Sequence, residues 1–142
     1  MLDSNTPVLD YTSSSDGNGL IGLLMKGASA NISSYTSGIK VGNSVLGAKN
    51  YYAIGIYADG QGTAGTSGVA KGIAANITAG ANGVGLFAEN GSNITYSGTM
   101  NIGDGTTAGT GIYVGNSGST ASKVTIAPTA YITLNGTNGV GA

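Results

Sequence analysis

A short motif recurs along this chain, in which glycine is followed by an aliphatic residue and then an aromatic one. It reads GIYADG at 55–60, GLFAEN at 85–90 and GIYVGN at 111–116. The aliphatic residues of these motifs are Ile56, Leu86 and Ile112, and Leu23 and Ala142, each also preceded by a glycine, extend the series at its two ends. Successive members of the series lie 26 to 33 residues apart. Repeats of about 20–50 residues are typical of solenoids, whose units bury their apolar faces only against neighbouring units. The motif therefore predicts a solenoid.

Two further aliphatic series keep nearly constant distances from the motif. One comprises Val41, Ile77, Ile102 and Ile132, and the other comprises Ile32, Val69, Ile94 and Val124. Each lies where apolar and polar residues alternate, which indicates a β-strand. Three strands per turn, joined by corners rich in Gly, Asn, Ser and Thr, predict an all-β parallel β-helix of about four and a half turns. Variable corner lengths are expected between Ile56 and Val69 and between Ile112 and Val124.

In the motif strands, alternate residues are expected to face the core. The inward sets are Ile21/Leu23/Met25, Ile54/Ile56/Ala58, Val84/Leu86/Ala88 and Thr110/Ile112/Val114. Tyr57, Phe87 and Tyr113 are out of phase with these sets, and stacked strands lie about 4.8 Å apart. They are therefore predicted to form an aromatic ladder on the outer surface. The glycine column beside them is expected to leave a shallow groove there.

The 142 residues are sufficient for one domain. Residues 1–19 are predicted to form part of a preceding turn, and residues 20–142 contain the repeats. Neither end shows a capping segment, so we expect a segment of a longer passenger whose open sheet edges allow end-to-end self-stacking. The first residues, MLDSNTPVLDY, lack the basic and apolar regions of a signal peptide.

Composition argues against several classes of function. Charged residues make up 8 % of the chain, and its five basic residues are scattered lysines, which disfavours a nucleic-acid partner. Histidine and cysteine are absent, which removes the usual catalytic triads, thiolates and imidazole–metal sites. We predict no enzyme activity, no catalytic residues, no cofactor, no metal and no membrane insertion by this segment. The 27 glycines would suit a disordered linker, but the periodic apolar residues oppose that interpretation.

Several polar residues occupy repeated positions. Asp59 and Glu89 follow the motif in successive turns, and a separation of about 5 Å would resemble the carboxylate pair of a retaining glycosidase. Two exposed corner acids are the favoured interpretation. Asn76 and Asn101, which precede Ile77 and Ile102, predict an asparagine ladder that exchanges amide hydrogen bonds between turns. The threonines are expected in corners, which disfavours an ice-binding face.

Residues 82–116 read NGVGLFAENGSNITYSGTMNIGDGTTAGTGIYVGN. This stretch resembles the passenger-domain repeats of large bacterial autotransporter adhesins of the fusobacterial outer-membrane type. Those passengers repeat variants of G-[IV]-[YF], N-[IV]-T and SGT-[IM]-N-[IV]-G in this order. The resemblance covers about residues 20–142 and is best over 75–142. It implies a right-handed β-helix displayed on the cell surface and anchored in the outer membrane through a part outside this sequence.

The resemblance implies a role in virulence-related adhesion, with a host-cell receptor or glycan, or other bacteria, as partner. We therefore expect a rigid structural or adhesive stalk. The aromatic ladder would suit stacking on a sugar ring; alternatively, the rings cover a bare sheet face or pack on a neighbouring chain. A phage tail-fibre segment and a polysaccharide-active β-helix enzyme remain the alternative functions.

Overall fold

A computed structural model describes residues 8–12, 18–32, 34–65, 72–116 and 120–142. The described residues form thirteen strands and no helix, and therefore contain no helix capable of spanning a membrane. The strands pair in parallel and build three sheets, with one strand of each sheet contributed by each turn. The predicted parallel β-helix is confirmed, with about four turns.

The three sheets run along the solenoid, and in each of them the strands stack in chain order. Sheet A contains β1 (Leu9–Asp10), β4 (Ile39–Val41), β7 (Ile77–Ala79), β10 (Thr99–Ile102) and β13 (Tyr131–Leu134). Sheet B contains β2 (Ile21–Lys26), β5 (Ile54–Asp59), β8 (Val84–Ala88) and β11 (Thr110–Val114). Sheet C contains β3 (Asn31–Ile32), β6 (Thr63–Ala64), β9 (Asn93–Tyr96) and β12 (Lys123–Ile126).

The motif strands form sheet B in the register that the repeat indicates. Leu23 pairs with Ile56, Ile56 with Leu86, and Leu86 with Ile112. The first three are buried, whereas Ile112 is only partly buried. Val114, which was predicted to face inward, is 48 % exposed because β11 is the outermost strand of its sheet and no described strand covers this position. Ile56 and Leu86, with strands on both sides, are 0 % exposed, and Leu23, in the other outermost strand, is 6 % exposed.

The second aliphatic series is divided between two ladders of sheet A. Ile77 pairs with Ile39 and Met100, and Met100 pairs with Ile132. Ile102 pairs instead with Ala79 and Leu134. The predicted alignment of Ile102 with Ile77 was wrong by two residues, because the corner at 103–109 is longer than the corner at 80–83. A shift of two residues keeps a side chain on the same face of its strand, so Ile102 is still buried.

Sheet C shows where the second turn carries its extra residues. Ile94 pairs with Val124 and with Ala64, and Ala64 pairs with Ile32. The place predicted for Val69 is held by Ala64, and Val69 itself lies outside the described residues. The long segment of this turn follows the sheet C strand, at 65–76, and does not precede it as predicted. The turn-rich composition indicated that this turn contains extra residues, but it did not indicate whether they precede or follow the sheet C strand.

The glycine column of sheet B points into the interior and does not border the aromatics as predicted. A Cβ on Gly55 would lie 2.5 Å from Ile77 Cγ2, and one on Gly85 would lie 2.6 Å from Met100 Sδ. Both contacts are core side chains of sheet A. The strands pass so close to that ladder that only a residue without a side chain fits. The alternation of inward and outward residues is interrupted at the glycine. The residue directly before each glycine therefore faces outward, although it was predicted to face inward.

Polar columns cover the outer faces of sheets A and C. On sheet A the paired residues are Lys40, Thr78, Asn101 and Thr133. On sheet C they are Asn31, Thr63, Asn93 and Lys123. The predicted asparagine ladder is wrong, because Asn101 pairs with Thr78 and Asn76 lies before β7. The expectation that the threonines lie in corners holds for only some of them: Thr106 and Thr107 lie between strands, and Thr137 follows β13. Thr63, Thr78 and Thr133 instead lie in the two columns, beside Asn or Lys.

Asparagine has a structural role in the corners. Asn82, Asn90 and Asn138 have positive φ angles of 53°, 55° and 62°. Asparagine tolerates this left-handed conformation better than most residues with a side chain. The sharp turns between sheets thus account for part of the asparagine content of the chain.

Candidate functional site on the outer face of sheet B

Sheet B differs from the other two sheets because its outer face carries a column of large apolar side chains. Tyr57 pairs with Phe87 and Phe87 with Tyr113, so the three rings follow one another along the solenoid axis. Leu24 pairs with Tyr57 and extends the column by one turn. The rings of Tyr57 and Phe87 meet edge to face, with centroids 5.0 Å apart. Those of Phe87 and Tyr113 are stacked, with centroids 4.4 Å apart.

The Tyr57 end of the ladder is fixed by a hydrogen bond across one turn. The Tyr57 hydroxyl donates to Oε1 of Glu89. Burial, and next the bond to Glu89, raise the pKa of Tyr57 far above its usual range, so the phenol keeps its proton at neutral pH. At the other end, Tyr113 is 46 % exposed. The ladder therefore has an anchored end and an open end.

A hairpin projects beside this ladder from the corner between β4 and β5, at residues 42–53. Val45 and Tyr51 form an antiparallel bridge through two backbone hydrogen bonds of 2.8 Å. The Ser44 hydroxyl donates to the Asn82 carbonyl at 2.7 Å and accepts from the Ala53 amide at 2.9 Å. The bond to Asn82 attaches the hairpin to the next turn, and the bond from Ala53 joins the two ends of the hairpin.

The hairpin presents apolar side chains to solvent. The exposed residues are Val45, Leu46, Tyr51 and Tyr52. Clusters of exposed apolar side chains on soluble proteins often mark interaction sites. The hairpin and the ladder therefore form one candidate surface, which we call the aromatic face.

A cleft of about 360 Å³ separates the hairpin from the ladder. It is lined by Tyr52, Val84, Phe87, Thr110 and Tyr113. Val84 and Thr110 were predicted to face inward, but they share this outer cleft because strand alternation breaks at the glycines. Val84 is buried and Thr110 partly buried, so they form the floor. Tyr52 stands on one side, with Phe87 and Tyr113 on the other.

The two candidate carboxylates have separate partners. Oδ1 of Asp59 accepts a hydrogen bond from Asn90 Nδ2 at 2.6 Å, and Oδ2 lies 3.7 Å from Lys26 Nζ. Glu89 accepts from the Tyr57 hydroxyl. Each carboxylate is thus held by residues of its own or the adjacent turn. Within the described ranges, no group of three or more His, Cys, Asp or Glu residues is placed to hold a metal ion.

Sequence reasoning placed the aromatic ladder but missed the hairpin and Tyr52. The SVLGAKNYY stretch at 44–52 has apolar residues on both sides of a Gly-Ala-Lys-Asn turn. That pattern is a recognisable hairpin signal, and the long first repeat contains it. The floor residues were missed because strict alternation was assumed through the glycine.

In comparisons with protein-family models, with curated proteins and with solved structures, nothing matches this chain. The likeness to autotransporter adhesin repeats therefore stays a prediction from the sequence.

Proposed function

We propose that this chain is a rigid β-solenoid segment of a bacterial cell-surface adhesin, which presents its aromatic face for attachment to host cells or to other bacteria. The observation that carries the proposal is the contrast among the three sheets. Sheets A and C show polar columns to solvent, with Tyr131 as an isolated ring on sheet A, whereas sheet B shows the column Leu24, Tyr57, Phe87 and Tyr113 together with an apolar hairpin. A purely spacing rod has no need for one apolar side.

The parallel stacking supports the mechanical half of this proposal. Hydrogen bonds link each turn to the next in all three sheets, and the described core is one continuous cluster of mainly aliphatic side chains with two buried tyrosines. Such a rod holds its outer residues at fixed spacing along the axis. An adhesive face built on it would be preorganised, which reduces the entropic cost of binding.

The test is binding of the purified chain to host cells and to partner bacteria. Saturable binding is expected, and the Tyr57→Ala/Tyr113→Ala double variant should lose most of it. Tyr131→Ala, which removes a 70 % exposed ring from sheet A, is the matched control and should bind as the unmodified chain does. Absence of binding by a well-folded chain would contradict an adhesive role, and a stable trimer in solution would favour the tail-fibre alternative.

A further inference from the structure

We propose that the cleft between Tyr52 and the aromatic ladder binds one neutral hexopyranose ring of a surface glycan. This inference rests on the adhesive function proposed above and assigns it a ligand class and a location. The ring would enter between Tyr52 on one side and Phe87 and Tyr113 on the other, over the floor made by Val84 and Thr110.

The size of the cleft favours a single ring. Small-molecule sites usually measure about 300–1,000 Å³, and this cleft, at about 360 Å³, is near the lower end. It accepts one sugar ring with its hydroxyl groups. A helix or a folded domain would have to meet the cleft mainly through its rim.

The cleft lining offers both aromatic rings and hydroxyl groups, which suits a pyranose because a pyranose has apolar C–H faces and polar hydroxyl groups. The rings of Phe87, Tyr113 and Tyr52 offer apolar surface to the C–H face of a sugar, as aromatic side chains do at amphipathic contacts. Tyr52, Thr110 and Tyr113 also carry hydroxyls, each able to donate and accept hydrogen bonds. A purely hydrocarbon occupant would offer those hydroxyls no hydrogen-bond partner.

Charge selects a neutral sugar over an acidic one. Among the described residues that line the cleft, none is charged. Glu89, the acid that directly follows β8, lies outside the lining and accepts a hydrogen bond from the Tyr57 hydroxyl. A carboxylated sugar would find no cation in the lining to pair with, so sialic and uronic acids should bind more weakly.

Saturation-transfer NMR and titration with methyl β-D-galactopyranoside and methyl β-D-glucopyranoside test the proposal on the purified chain. At least one of these glycosides should bind, and N-acetylneuraminic acid should bind more weakly. Tyr52→Ala should weaken the binding about tenfold, which corresponds to about 1.4 kcal/mol. Tyr51→Ala is the matched control, because Tyr51 neighbours Tyr52 in the hairpin and is exposed but does not line the cleft.

Three results would overturn the cleft assignment: equal loss in Tyr51→Ala and Tyr52→Ala, tighter binding of the acidic sugar, or no transfer from either glycoside. If the last result accompanies normal attachment to cells, the adhesive function stands and its ligand binds elsewhere. Glycoside binding that is sensitive to Tyr52, without attachment to any cell, would support the cleft and contradict the adhesive function. Circular dichroism of each variant verifies that the solenoid is intact.

Discussion

The middle turns and the last turn of this solenoid contain the same kinds of residues but bury them differently. In the middle turns, Ile56, Leu86 and Ile102 are each 0 % exposed. In the last turn, the equivalent residues Ile112 and Leu134 are only partly buried. The stretches GLFAEN and GIYVGN are closely similar, so local sequence does not cause the difference. The middle strands have a complete strand on each side, whereas β11 meets only residues 140–141 beyond it and β13 has no described strand beyond it.

This comparison explains how stability is distributed along the rod. In a repeat protein, stability is approximately the sum of the intrinsic terms of each turn and the interface terms between adjacent turns. A residue in a middle strand contributes to two such interfaces and a residue of β13 to one. The same substitution should therefore cost more in the middle, for side chains of the core and of the outer ladders alike.

The largest effect is expected from truncation of the core. Ile102 and Leu134 pair directly in sheet A, and truncation to alanine removes the same number of carbon atoms from each. Ile102→Ala should lower the free energy of unfolding by about 2–5 kcal/mol, because it leaves a cavity between two turns. Leu134→Ala should cost about 1–2 kcal/mol, since Leu134 is only partly buried. Urea unfolding followed by circular dichroism measures both, and equal losses would break the comparison.

A smaller effect is expected from alanine in the glycine column. A Cβ at Gly85 would lie 2.6 Å from the Gly111 carbonyl oxygen and 2.6 Å from Met100 Sδ. The backbone oxygen belongs to the next turn and cannot rotate away, so Gly85→Ala should cost about 1–3 kcal/mol.

Gly141 is the control for that substitution. It is the next glycine of the column after Gly111, because Val140 pairs with Thr110 and the Gly141 carbonyl accepts from the Ile112 amide. A Cβ on Gly141 would meet nothing within 4 Å. Gly141→Ala should change the stability by less than about 0.5 kcal/mol. A Gly85→Ala variant as stable as Gly141→Ala would show that the column tolerates a side chain.

The same contrast separates what the sequence predicted from what it did not. Period and residue type determined the fold class and the sheet B ladder, because Leu23, Ile56 and Leu86 can be buried only against one another. Corner lengths were less predictable, since the Gly- and Ser-rich corners tolerate many lengths; hence the two-residue error at Ile102. The cleft could not be predicted, because it depends on the break in alternation at Gly85 and on how the hairpin lies beside β8.

Alkaline destabilisation should arise in the inner turns. Burial raises the pKa of Tyr96 above its usual range of about 10, and its hydroxyl donates to the Ala75 carbonyl at 2.8 Å. The folded chain retains a proton that the unfolded chain releases above pH 10. Stability is therefore complete below pH 10 and falls above it, by about 1.4 kcal/mol per pH unit for this group.

The variant Tyr96→Phe tests that cause. The substitution should cost about 0.5–1.5 kcal/mol of stability at pH 7 through the lost hydrogen bond. Above pH 10, the stability of the variant should fall less steeply with rising pH than that of the unmodified chain. Tyr57 and Tyr35, whose pKa values are also raised by burial, should still make the stability of the variant fall with rising pH. Melting temperatures between pH 8 and pH 11.5 measure it. Parallel curves for the two proteins would remove Tyr96 as a source.

The smallest effect is expected on the outer surface, where the aromatic ladder also has a middle ring with two neighbours and an end ring with one. Phe87 contacts a ring on each side, at 5.0 Å and 4.4 Å, whereas Tyr113 contacts one ring. Each ring pair contributes about 0.5–1.5 kcal/mol, with the low end expected at a solvent-exposed face. Phe87→Leu should thus cost about 1 kcal/mol and Tyr113→Leu about 0.5 kcal/mol.

The double variant Phe87→Leu/Tyr113→Leu completes a mutant cycle that isolates the stacked pair. If stacking between turns stabilises the ladder, the double variant loses less than the sum of the two single losses, because the shared contact is counted in each. Strict additivity would mean that the rings contribute nothing to one another across the turns. That result would favour a binding role for the rings, as in the proposed cleft, over a role in stabilising the solenoid.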